Sequence, residues 1–245
     1  MSRYGIMIKA VFFDFYNTLV KFWPPVEMIQ MAVCREVGLT VTLEGVRSGY
    51  VLADVYFNSE NARLALADRS PESRNEFFAN YETIILKGAG IEASAQLASS
   101  IWKLTGLIPK NFTLFDDTLP TLVELRKSGY LLGLLSNVNL DLEPLLHELG
   151  IQPYIDVSIT SKEAGAQKPD PPIFLAALDR LGLQPYEALH VGDQYQSDVL
   201  GAKGVGITPV LLDREGCQEG QMDCVRITGL DQVMVILETL ISPNG

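Results

Sequence analysis

Five short apolar runs recur along the chain, at residues 10–13, 130–135, 155–159, 188–191 and 209–212. Most are continuous rather than alternating, the pattern of strands covered on both faces. Helical spacing separates the later runs. Leu119, Leu122, Val123 and Leu125 fall on a helical repeat within residues 118–127, and residues 142–149 repeat the pattern. Asp170 is placed to cap a third helix with Pro171 and Pro172 in its first turn, running to about Leu181. A fourth helix is expected over about 197–203. This strand–helix alternation predicts an α/β fold built on a doubly wound, Rossmann-like parallel sheet.

Residues 21–110 break the pattern. They contain no strand-like run of comparable strength. Four helical patterns stand there instead, near 25–37, 43–66, 71–86 and 92–104. Ser70 followed by Pro71 is a helix start. Gly38, and Gly88 with Gly90, read as helix stops. The chain therefore divides into a core, 1–20 plus 111–245, and an inserted α-helical cap, 21–110. An insert after the first strand leaves the sheet at its carboxyl end, where open α/β sheets bind ligands. It is expected to act as a lid.

Composition narrows the class. The chain has 245 residues, 47% hydrophobic and 20% charged, which is globular rather than disordered. A net charge of −11 argues against nucleic acid or a basic membrane-surface role. Residues 21–110 carry nine Lys+Arg against ten Asp+Glu, while the remainder carries ten against twenty. The acidic surplus belongs to the core. The apolar run 8–13 is interrupted by Lys9, too short to span a membrane, and followed by no small-residue cleavage site. Cys34, Cys217 and Cys224 are an odd, scattered set, expected as unpaired thiols of a cytoplasmic protein. Gly201, Gly204 and Gly206 have the wrong spacing for a dinucleotide loop, and no phosphate loop or Gly-x-Ser-x-Gly elbow occurs. His147 in a helical pattern and His190 in a strand read as structural.

Chemistry-bearing residues collect at the expected strand ends. The first strand delivers Asp14, in Asp14-Phe15-Tyr16-Asn17-Thr18. The second ends in Ser136-Asn137, groups that hydrogen-bond an oxyanion. Lys168 stands just before a helix N-terminus, where anions are favoured. A later strand ends in Gly192-Asp193, with Asp198 five residues on, and two such carboxylates suit a hard cation. Each alone is more simply a cap, a turn or a solvated side chain.

Together and in order, these elements resemble the haloacid dehalogenase superfamily of aspartate-nucleophile hydrolases, in the branch with a helical cap after the first motif. The resemblance covers essentially the whole chain and is loosest in the cap. It implies a central first strand, Asp14 as nucleophile, Thr18 orienting it, and Ser136 and Lys168 holding the oxygens of the transferred group. It also implies Mg²⁺ held by Asp14, the Tyr16 carbonyl, Asp193 and Asp198. The substrate is then a small phosphorylated metabolite, lined by Asn17, Asn137, Phe22, Trp23 and Arg47. No nucleic acid or membrane partner is implied, and the protein is expected as a monomer or homodimer.

One position departs from the family's phosphatases. Their acid–base Asp, two residues after the nucleophile, is Tyr16 here. A phenol has an ordinary pKa of about 10 and is a poor base near neutrality. Dehalogenases of the superfamily carry Tyr at this position, and a halide leaves without a proton. Against a dehalogenase stands the Asp193/Asp198 pair, which a metal-free reaction does not use. A dehalogenase also needs an Arg from the cap, for which Arg35, Arg47 and Arg63 are all available. Three expectations follow: a phosphatase with weakened acid catalysis first, a 2-haloacid dehalogenase second, and a weakly catalytic binding or regulatory protein third.

Overall fold

The computed structural model describes residues 7–138, 140–216 and 223–241, without the side chains of Ala62, Ala67 and Ile241. Cys217 lies outside the described residues. Cys34 and Cys224 are free thiols. No described helix is long and apolar enough to cross a membrane.

The first strand, β1 (Ala10–Phe13), is buried along its whole length. It pairs in parallel with β4 (Leu131–Ser136) on one side and β6 (Ala188–Gly192) on the other. Beyond β4 lies β5 (Val157–Thr160), and beyond β6 lie β7 (Thr208–Leu212) and β8 (Val225–Ile227). The order β5-β4-β1-β6-β7-β8 puts β1 inside a six-stranded parallel sheet. This is the doubly wound α/β architecture that the alternating pattern predicts.

Side-chain alternation along β1 explains why both faces are covered. Val11 and Phe13 pack with Leu122 and Leu125 of α5 (Thr118–Lys127), Leu146 of α6 (Glu143–Glu148), and Val233 and Leu237 of α10 (Val233–Ile241). Ala10 and Phe12 pack on the other face. Their partners are Ile173, Phe174, Ala177 and Leu178 of α8 (Pro171–Leu181) and Ala202 of α9 (Leu200–Val205). Each large apolar side chain buried this way contributes roughly 1.5–3 kcal/mol. A one-turn helix, α7 (Ser161–Ala164), follows β5.

Several elements differ from expectation. The helix expected over 197–203 begins as a π-helical turn, Tyr195–Val199, before α9. Asp170 sits at the N-cap of α8, but its side chain makes no capping hydrogen bond. A two-stranded sheet, β2 (Val20–Trp23) with β3 (Asn111–Leu114), flanks the insert. Strands of four half-buried residues carry little periodic signal. The three-residue β8 and the almost wholly apolar α10 escape for the same reason.

The chain divides into two compact units, breaking between Lys21 and Phe22 and between Asn111 and Phe112. The second unit holds four helices: α1 (Val26–Glu36), α2 (Leu43–Arg63), α3 (Pro71–Gly88) and α4 (Ala95–Leu107). Thr42, Ser70 and Ser94 cap α2, α3 and α4 through their hydroxyls. Gly88 is not a stop, because α3 runs through it and the stop is Gly90, at φ 81. A Cβ on Gly88 would lie 2.4 Å from the Gly49 Cα, and one on Gly49 only 2.2 Å from the Ile85 carbonyl oxygen. Both positions must be glycine for α2 and α3 to pack backbone to backbone.

The interior of this unit buries a carboxyl group. Glu82 is fully buried; its Oε1 accepts from Gln30 Nε2 at 2.5 Å, and its Oε2 has no hydrogen-bond partner among the described residues. Burial pushes its pKa up to about 8, against a smaller opposing effect of the Gln30 hydrogen bond. The unfolded chain, with an ordinary glutamate, ionises near 4.5. Between these values the unfolded state releases the proton first, so stability falls as pH rises from about 4.5 to about 8. Glu82→Gln removes this titration. Melting wild type and variant side by side at pH 5 and pH 8 should shift the difference in the variant's favour at pH 8, by up to about 1.4 kcal/mol per pH unit crossed. A difference independent of pH would contradict the buried-acid account.

Candidate functional site

Parallel strands end on one edge of the sheet, and that edge gathers the candidate groups. Phe13 of β1 is in register with Leu134 of β4 and Val191 of β6. Asp14, Ser136 and Asp193 therefore emerge side by side. The Asp14 N–H donates to the Val191 carbonyl at 2.9 Å, fixing the strand end. The chain then turns at once. Leu19 and Val20 N–H groups both donate to the Phe15 carbonyl, and Asn17 N–H donates to the Val20 carbonyl. Asn17 adopts φ 60, a left-handed conformation that asparagine tolerates better than most residues.

Lys168 is the hub. Its ammonium lies 2.5 Å from Asp14 Oδ1 and 2.7 Å from Asp198 Oδ1, and the residue is only 3% exposed. Burial alone would lower its pKa, but the two carboxylates outweigh it and hold the ammonium well above the usual lysine range. Burial is also the largest influence on Asp198, raising it; Lys168 and the His190 contact overcome that and hold its carboxylate well below the usual range. Asp14 is raised to about 6, chiefly by burial, with Lys168 opposing and Asp198 adding to the rise.

Asn137 clamps the backbone of Lys168. Its Oδ1 accepts from the Lys168 N–H at 2.6 Å, and its Nδ2 donates to the Lys168 carbonyl at 3.0 Å. Both ends of the amide thus help to place Lys168, a role that the sequence did not indicate. The expectation for Thr18 is corrected. Its Oγ1 is buried with no hydrogen-bond partner among the described residues, so the hydroxyl does not orient Asp14. Ser136 is buried at the end of β4, opposite Thr160 of β5.

His190, read as structural, belongs to the site from behind. Its Nε2 is 2.9 Å from Asp198 Oδ1, and burial lowers its pKa below the ordinary value. A carboxylate can only accept, so Nε2 is the donor in this contact. The Gln194 N–H donates to Asp198 Oδ2 at 3.0 Å. Gly192 makes room for this carboxylate: a Cβ there would lie 2.1 Å from the Asp198 Cγ. The signal for His190 in the sequence is its place two residues before Gly192 on the same strand, but its partner is set by the π-helical turn.

Asp14, Asp193 and Asp198 each offer an oxygen, and these atoms lie within 4.8 Å of one another. An all-carboxylate set is the donor chemistry of a hard divalent cation such as Mg²⁺, so these residues fit one. Asp198 already accepts hydrogen bonds on both oxygens. The Tyr16 ring meets Phe112 edge-on, with centroids 6.2 Å apart. Phe22, Trp23 and Arg47 belong to the helical unit. Trp23 is 61% exposed, and Arg47 Nε lies 3.6 Å from Glu27 Oε1. Arg35 and Arg63 also lie on its helices, at the ends of α1 and α2.

Known proteins resemble this chain in family and in fold. Residues 8–206 match the family described as haloacid dehalogenase-like hydrolase. The glyceraldehyde 3-phosphate phosphatase of Methanothermobacter thermautotrophicus is 28% identical over 230 residues, covering 94% of this chain and 96% of that protein. The structure of a HAD phosphatase from Thermococcus onnurineus superposes with a TM-score of 0.56 at 26% identity, over 94% of this chain and 98% of that one. A 2-haloacid dehalogenase from Pseudomonas syringae pv. Tomato DC3000 shares the fold, with a TM-score of 0.57 at 23% identity, over 95% and 99% of the two chains.

Proposed function

The chain belongs to the haloacid dehalogenase-like hydrolases, and on that premise we propose that it is a Mg²⁺-dependent phosphatase acting on a small phosphorylated metabolite. The observation that carries this reading is the Lys168 ammonium bridging Asp14 and Asp198, with Asp193 completing a carboxylate cluster. A cluster of acids repels a phosphate ester unless a cation sits among them. The similarity to a sugar-phosphate phosphatase along nearly the whole chain supports the same substrate class.

Asp14 attacks phosphorus in line through a carboxylate oxygen, forming an aspartyl-phosphate as the bond to the leaving oxygen breaks; that oxygen departs as the oxyanion and takes its proton from water. Lys168 neutralises the Asp14 charge before attack and holds a phosphoryl oxygen during it, with the Ser136 hydroxyl as a second donor. Asn137 keeps Lys168 in place by its backbone. Asp14, Asp193, Asp198 and the Tyr16 carbonyl would hold Mg²⁺, which would supply positive charge to offset that on the transferred group. Water then attacks the aspartyl-phosphate, releasing inorganic phosphate and restoring Asp14. Tyr16 supplies no carboxylate acid for the leaving alcohol. Asn17 contributes to substrate binding from the loop after Asp14.

A second reading, 2-haloacid dehalogenase, is favoured by Tyr16 alone. One experiment separates the two. Phosphate release from a panel of aryl and sugar phosphates, and halide release from 2-haloacids, are measured with Mg²⁺ and with a chelator. Phosphate release is expected only with Mg²⁺, to stop with chelator, and to return when Mg²⁺ is restored. Halide release that ignores the chelator would replace the phosphatase with the dehalogenase.

A further inference from the structure

The loop after Asp14 is held by an ion pair that takes no part in the chemistry at the nucleophile. Within residues 15–20 the internal hydrogen bonds use the carbonyls of Phe15 and Val20. The carbonyls of Thr18 and Leu19, both fully buried residues, are served from outside the loop. Leu19 accepts from the Phe115 N–H at 3.1 Å and from Thr118 Oγ1 at 2.7 Å. Thr18 accepts from Arg214 Nη2 at 2.8 Å.

Arg214 follows β7, and its guanidinium is fixed from three directions. Nη1 and Nη2 donate to the two oxygens of Asp117 at 2.9 and 3.0 Å. The guanidinium carbon lies 3.8 Å from the centroid of the Phe115 ring. Asp117, at the start of α5, is itself anchored by the Leu230 N–H at 2.8 Å. Burial raises the Asp117 pKa, but Arg214 and the Leu230 N–H outweigh that and keep it a carboxylate. A planar guanidinium can serve a carboxylate bidentately and a carbonyl at the same time; a lysine ammonium on a flexible stem does not reach both in one geometry.

We propose that Arg214, locked by Asp117, is a positioning residue that fixes the Tyr16–Thr18 turn, and through it the Tyr16 carbonyl and Asp14, for cation binding and attack. This rests on the Mg²⁺-phosphatase reading. It ties the segment after β7 to the nucleophile loop, which is 196 residues away at the Thr18 contact.

The test uses the full chain as wild type, Arg214→Lys, Asp117→Asn and a control, Arg226→Gln. Arg226 makes a neighbouring ion pair, 3.4 Å from Asp213, and contacts no part of the loop in that pair. Mg²⁺ affinity is measured by titration calorimetry on the substrate-free protein. Turnover is measured as kcat and KM on an aryl phosphate, at a temperature well below each melting point. Loss of a group that orients a ligand from behind typically costs roughly 10–100-fold in affinity or activity. Arg214→Lys and Asp117→Asn should each weaken Mg²⁺ binding and lower kcat within that range, with KM little changed, while Arg226→Gln matches wild type.

Wild-type Mg²⁺ affinity and kcat in either folded clamp variant would overturn the proposal. So would an equal loss in Arg226→Gln, which would mark a general effect of removing ion pairs. Should Arg214→Lys fail to fold, Asp117→Asn decides alone. A wild type that binds Mg²⁺ but releases no phosphate would sink the phosphatase reading and leave the affinity comparison to judge the clamp. A wild type that does not bind Mg²⁺ would sink both.

Discussion

Asp14→Asn should reduce phosphate release by at least about 10³-fold, the scale seen when a covalent nucleophile is removed. The side chain keeps its shape, so β1 and its hydrogen bond to Val191 remain. What changes is the chemistry at one oxygen. An amide has no anionic lone pair to attack phosphorus, and Lys168 loses one of its two counter-charges. Asp198, at 2.7 Å, still pairs the ammonium, so the protein should fold. The variant should also bind Mg²⁺ more weakly. Steady-state release from an aryl phosphate, with mass spectrometry of acid-quenched enzyme to detect the phosphoryl-aspartate, checks both parts. Turnover within tenfold of wild type, or a trapped phosphoryl group in the variant, would show that Asp14 is not the nucleophile.

Tyr16→Asp should act in the opposite direction. A positioned acid–base group contributes roughly 10²–10⁴-fold, and the side chain two residues after Asp14 is a phenol. Wild type is therefore expected to cleave an aryl phosphate faster than a sugar phosphate, since only the alkoxide leaving group needs a proton. Restoring a carboxylate should raise the rate on the sugar phosphate by about 10²-fold or more and change the aryl rate little. The substitution gives up the edge-on contact with Phe112, a cost of about 1 kcal/mol that a stable core absorbs. It also adds a negative charge beside three carboxylates, so the gain should require saturating Mg²⁺. A wild type faster on the alkyl ester, or a variant unchanged on it, would refute the missing-acid explanation.

The candidate site was readable as far as it depends on strand ends. Asp14, Ser136 and Asp193 each follow a buried apolar run, and parallel strands bring such ends to one edge. Lys168 and Asp198 were readable by their spacing from a helix start and from Gly192. The tasks of the surrounding side chains were not. Asn137 looked like a group for the substrate because its neighbour is Ser136, and its amide also reaches across 31 residues to the Lys168 backbone. Thr18 looked like a hydroxyl for Asp14, but the turn at Asn17 commits its carbonyl and leaves the hydroxyl buried. His190 looked like core, which it is, but it also donates to Asp198.

By itself, then, the order of apolar runs and helical repeats determined an α/β sheet with a helical insert. The residues following those runs determined which acids and which lysine meet. These follow from periodicity and chain direction, which are local properties. Only the tertiary structure decided how the lysine is held, why the second acid stays ionised, and what grips the nucleophile loop. The Arg214–Asp117 pair joins residues 97 apart, and Arg214 reaches a backbone carbonyl, a group every residue possesses. A hydrogen bond to main chain leaves no mark in the residue that accepts it, so its place becomes visible only once the chain has folded.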